Sequence, residues 1–123
     1  MAYDTDNLFA KIIRREIPAE IIYEDEDSLV FMDVMPQSAG HALVIPKAPS
    51  EMLLTADPET LALLMPIVQK ISQAAMKAFK ADGVVVMQFN HAAAGQTIFH
   101  THFHVVPAYE GVELKRHNLL LVF

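Results

Sequence analysis

A chain of 123 residues, 53% apolar with a mean hydropathy of +0.28, is long enough to bury a core and reads as one domain. Its formal charge of −6 argues against a general nucleic-acid binder, which needs a basic face. The absence of cysteine excludes disulfides, thiol catalysis and cysteine-held metal and fits a cytoplasmic location, and no apolar run or N-terminal leader pattern points to a membrane span or signal peptide.

Residues 7–14 predict a short amphipathic helix with Leu8, Phe9, Ile12 and Ile13 on its apolar side. Asp4, Thr5 and Asp6 are its candidate caps, and Pro18 stops the segment. Ile21–Glu24 and Leu29–Met32 predict a hairpin turned at Asp25-Glu26-Asp27. Ala42–Ile45 predicts a third strand, closed by Pro46. Asp57-Pro58 starts a long helix, with Asp at the cap and Pro at its first position. Leu61, Leu64, Met65, Val68, Ile71, Ala75 and Phe79 keep the helical spacing. Pro66 inside this pattern predicts a kink or a boundary, and Gly83 predicts the end of the helical region. Val84–Phe89 reads as a fourth strand. The order of elements predicts an α+β fold with an antiparallel sheet. Spare apolar surface leaves room for self-association. The run Leu119–Phe123 admits three readings: packing on this domain, packing on a partner subunit, or a truncated or altered chain end.

The fifth strand carries the chemistry. His100, His102 and His104 recur at every second position, between Phe99, Thr101, Phe103 and Val105. Alternation bounded by Gly95 and Pro107 predicts a strand with the three imidazoles in a row, roughly 6–7 Å between neighbours at a rise of about 3.4 Å per residue. Three uses compete. The row can be structural. It can hold a metal, with His41, His91, Asp33 or His104 completing the ligand set. Or it can do nucleophilic and acid–base chemistry on an anionic group, since imidazole is substantially neutral at physiological pH. The approach Asn90 to Thr97 favours the third. Gly95 lets backbone come close to a ligand, and Gln96 and Thr97 bring an amide and a hydroxyl suited to an oxyanion.

Gly95-Gln96-Thr97-Ile98-Phe99-His100-Thr101-His102-Phe103-His104-Val105-Val106 resembles the signature of the histidine triad (HIT) family, with Thr101 a departure at one apolar position. Leu8 to Pro18, Phe31 to Gln37 and His41 to Lys47 resemble its branch of histidine-triad nucleotide-binding (Hint-like) proteins. The similarity runs over residues 7–107, taken as the core of a single domain spanning 1–123, with 108–123 as a tail. It implies a five-stranded antiparallel sheet with one short and one long helix, and a two-fold homodimer. It implies hydrolysis or transfer of purine nucleoside monophosphates at the α-phosphorus, with AMP or GMP amidates or anhydrides as substrates and no cofactor.

By position, the resemblance makes His102 the nucleophile, its other nitrogen held by a main-chain carbonyl near His100. His104 and the Gln96/Thr97 region would bond phosphate oxygens, Thr97 would also assist the leaving group, His41 falls where the family has its upstream active-site histidine, and His100 would support the row. Asp33 would take the ribose hydroxyls and Asn90 would bond near ribose or phosphate, while Leu8, Phe9, Ile12, Phe31 and Val34 would line the base pocket. Three departures stand out. Relatives that bind zinc carry cysteines where this chain has Asn7 and Ala10. Ala108 follows Pro107 where relatives often have arginine. The tail beyond Tyr109 is unlike the usual ending. His91 and His117 fall outside the motif and are expected at the surface. The phosphoramidase expectation has two alternatives, a nucleotide-binding module with little catalysis and a dinucleoside polyphosphate hydrolase. A metal-dependent hydrolase is the reading that metal analysis would discard.

Overall fold

The computed structural model describes residues 2–115, so His117 and the apolar run 119–123 lie outside the described residues. Helix α1 (Leu8–Ile13) is followed by strands β1 (Ile21–Glu24), β2 (Ser28–Met32) and β3 (Ala42–Pro46). Helix α2 (Pro58–Ala78), strand β4 (Gly83–Met87) and strand β5 (Phe103–Ala108) follow, with single-turn 3-10 helices at Leu53–Thr55 and Ala92–Ala94. The β1–β2 turn forms because Asp25 Oδ1 accepts from the backbone N–H groups of Asp27 and Ser28, at 2.9 and 2.7 Å. The strands build one sheet in the order β1-β2-β3-β5-β4, every neighbouring pair antiparallel. This is the α+β, five-stranded antiparallel architecture with one short and one long helix that the sequence predicts.

Alternation along the strands sorts the core onto two faces. Val30, Ala42, Val44, Phe103 and Val105 face α2 and pack on Leu64, Ile67, Val68 and Ala75. Leu29, Phe31, Leu43 and Ile45 point the other way, onto Phe9 and Ile12 of α1. In the register, Phe31 pairs with Leu43, and Leu43 pairs with His104. His104 therefore stands on the α1 face, away from the long helix.

Four expectations need correction. Helix α1 is capped by Asn7, whose Oδ1 accepts from Ala10 N–H at 2.9 Å, rather than by Asp4, Thr5 or Asp6. Asp4 instead caps the preceding turn, its carbonyl accepting from Asn7 N–H. Pro66 sets no boundary: α2 continues through it, and the proline lies on the exposed side, where the carbonyl that loses its helical donor is open to water. The helix ends at Ala78 and not at Gly83. Lys80 takes the left-handed conformation (φ 49°) and Ala81 N–H closes back on Met76 O at 3.1 Å, so Gly83 opens β4 instead. Finally, β4 stops at Met87, because the Gln88 side chain turns to bond Phe89 O and Asn90. No helix among the described residues is long and apolar enough to cross a membrane.

Candidate active site

A cavity of about 310 Å³ opens on the α1 face of the sheet. Its wall is apolar except for Asp33, Thr97, His102 and His104. Leu8, Phe9 and Ile12 come from α1, Phe31 from β2, and Val34 and Gly95 from the loops beyond β2 and before β5. The structure thus brings ten of the expected residues to one cavity. Pocket-wall residues that sequence reasoning missed are Ile17, Pro18, Ala19, Met32, Met35, Leu43, Phe89 and Ile98. Leu43 was findable, because strand parity sets it on the same face as His104. The others sit in loops or at strand ends, where no periodicity marks them.

The three histidines do not form a regular row on one strand. β5 begins at Phe103, so His100 and His102 precede it in irregular backbone. Continuing the β3–β5 register would set Pro46 opposite Thr101, and proline has no N–H to give the ladder. The Pro46 carbonyl is taken by His100 Nε2 at 2.8 Å, and Thr101 N–H donates to Ser50 O at 2.7 Å. The chain peels away from the sheet at the triad. His102 and His104 still adjoin, with ring centroids 5.1 Å apart, and the Phe9 ring stands edge-on to His102 at 5.0 Å.

Hydrogen-bond partners fix where the imidazole protons sit. His102 Nδ1 lies 2.6 Å from His100 O, a carbonyl that only accepts, so the neutral ring carries its proton on Nδ1 and its lone pair on Nε2. Gln37 N–H donates to His41 Nδ1 at 3.1 Å, which puts the His41 proton on Nε2. That nitrogen faces His104 Nδ1 at 3.0 Å and Asp33 Oδ2 at 3.4 Å. Accepting on Nδ1, neutral His104 carries its own proton on Nε2. His41 and His100 are wholly buried. Burial lowers the His100 pKa from 6.5 to about 4, so it stays neutral at physiological pH.

Two of the expected residues spend their side chains on contacts within the protein. Gln96 does not reach toward a phosphate with its amide. Its side chain is buried, Nε2 donates to Glu51 O at 2.7 Å and Ile98 O at 3.1 Å, and Oε1 accepts from His91 N–H at 2.8 Å. It braces the loop before the triad, whose Gly95 takes φ 104° and whose His91 takes φ 74°. Asn90 is not on the cavity wall. It accepts from Leu54 N–H at 3.1 Å and exchanges bonds with the Gln88 amide. Asp33 does line the cavity. Its Oδ1 accepts from Met35 N–H at 2.8 Å and its backbone N–H donates to His41 O at 2.9 Å, which locks the β2 and β3 ends together. Thr97 is exposed at the cavity edge, and His91 is exposed outside it.

Ligand atoms of Asp33, His41 and His104 lie within 4.8 Å of one another, a spacing open to a metal ion. The donor set does not fit. A ligating imidazole must present a lone pair, and the Gln37 N–H on Nδ1 keeps the His41 proton on the very nitrogen that faces the other two.

A family model described as the HIT domain matches residues 14–111. The chain belongs to the HIT family. This HIT chain is similar to the crystal structure of a Hit-like protein involved in cell-cycle regulation from Bartonella henselae, at 58% identity and a TM-score of 0.91 over 92% of this chain and 86% of that one. It is similar to a hypothetical histidine triad nucleotide-binding protein from Sulfolobus tokodaii, at 43% identity and a TM-score of 0.82, covering 85% of this chain and 70% of the other. It is also 41% identical to the adenylylsulfatase HINT3 of Arabidopsis thaliana over 122 residues, 94% of this chain and 62% of that protein. These neighbours set the HIT chain in the Hint-like branch.

Proposed function

We propose that this HIT protein is a purine nucleoside phosphoramidase, a nucleotide hydrolase that acts at the α-phosphorus through a nucleotidyl-His102 intermediate. The observation that carries the reading is the 2.6 Å contact of His102 Nδ1 with His100 O on the wall of the cavity. It leaves the lone pair of a neutral imidazole on Nε2, which is what a nitrogen nucleophile requires. The apolar wall suits a purine, held with loose discrimination between bases. Asp33 is the acceptor assigned to the ribose hydroxyls.

In the first step, His102 Nε2 forms a bond to phosphorus as the bond to the leaving nitrogen breaks. The amine takes up a proton as it departs, given by the Thr97 hydroxyl, which takes one from solvent in turn. His104, with its proton on Nε2, donates to the phosphate oxygens as charge builds there. Water then attacks phosphorus, the N–P bond breaks back onto Nε2, and the monophosphate leaves. That water gives up one proton to solvent, matching the one drawn from solvent in the first step, and the ring, which kept its Nδ1–H throughout, ends as it began. A covalent step divides one hard displacement into two easier ones.

We further propose that the protein works in the cytoplasm as a two-fold homodimer joined along β4. Support comes from the edge position of β4 and from Val86, Leu63 and Met65, which are 47%, 53% and 39% exposed. Sedimentation equilibrium should give twice the chain mass.

The test of the activity is turnover of an AMP amidate in EDTA, with an acid-quenched mass spectrum to catch the adduct. Turnover with an adduct, both lost in His102→Ala, supports the reading. AMP binding without turnover or adduct would favour a binding module. Preference for dinucleoside polyphosphates or adenylyl sulfate over the amidate would move the substrate class to anhydrides, the class that HINT3's name points to. Loss of turnover in EDTA would favour a metal-dependent hydrolase.

A further inference from the structure

We infer that Tyr3 is a positioning residue for the His102 nucleophile, acting through His100; this rests on the phosphoramidase reading above. Tyr3 stands ahead of α1, outside residues 14–111, which the HIT model matches. Its hydroxyl lies 2.6 Å from His100 Nδ1, and the two rings meet edge-on with centroids 5.7 Å apart.

The direction of that bond is set by the other side of the ring. His100 Nε2 faces the Pro46 carbonyl at 2.8 Å, and a carbonyl only accepts. The proton therefore sits on Nε2. Nδ1 keeps its lone pair, and Tyr3 is the donor. A phenol is the right group for this place, since it stays protonated far above physiological pH and is partly apolar. His100 is wholly buried and both its nitrogens are engaged, so the ring has one orientation.

That orientation matters through the peptide unit that follows it. The N–H of this unit, on Thr101, donates to Ser50 O at 2.7 Å. Its carbonyl, on His100, accepts from His102 Nδ1–H at 2.6 Å. The ring is held by Tyr3 and Pro46, and the peptide by Ser50 and His102. Remove the phenol and a buried lone pair on Nδ1 loses its donor. The ring then turns, or takes the other tautomer and gives up Pro46. Either change shifts the carbonyl that keeps the His102 proton off Nε2. The residues before α1 thus become part of the catalytic apparatus without touching substrate.

Tyr3→Phe tests this in the full chain, since it keeps the ring and deletes only the hydroxyl. The variant should lose about tenfold or more in kcat on an AMP amidate, the scale of a small misplacement of a reacting group. KM and the AMP Kd should stay within about twofold, because Asp33 and the apolar wall that would hold the nucleoside are untouched. Imidazole 15N spectra supply a readout that general loosening would not give. Wild type should show His100 as the Nε2–H tautomer and His102 as the Nδ1–H tautomer, with both becoming mixtures in the variant. Wild-type kcat with unmixed tautomers in Tyr3→Phe would overturn the inference. So would wild-type His100 found as the Nδ1–H tautomer, which needs no variant at all. A wild type that never turns over would sink the phosphoramidase reading alone, and the tautomer spectra would still decide the role of Tyr3.

Discussion

Replacing Gln96 by glutamate changes one atom in the side chain and should cost a large part of the fold's stability. Gln96 is only 3% exposed, and its Nε2 donates to Glu51 O and Ile98 O. A carboxylate donates to neither. Two bonds worth about 1 kcal/mol each are lost, and two carbonyl oxygens are left facing a buried negative charge, for about 3 kcal/mol in all at neutral pH. Burial and the facing carbonyls favour the neutral acid, so the folded-state pKa of this glutamate is raised above its unfolded value of about 4.3. Stability of the variant should therefore fall as pH climbs through 4.3 and above, while the unfolded chain ionises and the folded one resists. Below that range the protonated carboxyl restores one donor, and the deficit should shrink to about 1 kcal/mol. Urea unfolding of wild type and Gln96→Glu at pH 4 and pH 7 measures both values. A variant within about 0.5 kcal/mol of wild type at both would refute the bracing role. An intact melting curve with a raised KM would return Gln96 to the phosphate.

The buried His100 makes its own contribution to pH dependence. Its pKa falls from 6.5 to about 4 on folding, so stability is whole above pH 6.5 and is lost as pH drops toward 4, by about 3 kcal/mol. An NMR titration of His100 with a midpoint near 6.5 would contradict this. Gly40 takes φ 90°, and a methyl added there would come within 2.6 Å of Phe79 Cδ2. Gly40→Ala should lower stability by about 2–3 kcal/mol in urea unfolding and disturb His41 beside it; an unchanged midpoint would show that the Phe79 ring yields.

How much of this was legible beforehand follows from where periodicity operates. The strands β1, β2 and β3 and the start of α2 at Asp57-Pro58 could be read because alternation, helical spacing and caps are local signals. The contact of His102 Nδ1 with His100 O agrees with what the family resemblance implied. The three imidazoles form no regular row, because the partner strand ends at Pro46, 54 residues before His100 in sequence, and only pairing reveals that conflict. The same limit hid the job of Gln96. An amide beside a glycine reads equally well as a ligand or a brace, and its three backbone partners become visible only in space. The end of α2 misled for another reason. Lysine at position 80 takes a conformation that sequence rules reserve for glycine, so the nearest glycine drew the boundary.

The sheet is also a partition. Among the described residues, nine buried side chains on its α2 side form one cluster and six on its α1 side form another, and the cavity opens against the second. Substitutions that reshape the cavity at Leu8, Val34 or Thr97 leave the α2 cluster intact. Such an arrangement lets the workshop be refitted while the foundation stays in place, and one scaffold can then serve descendants with different tastes in substrate.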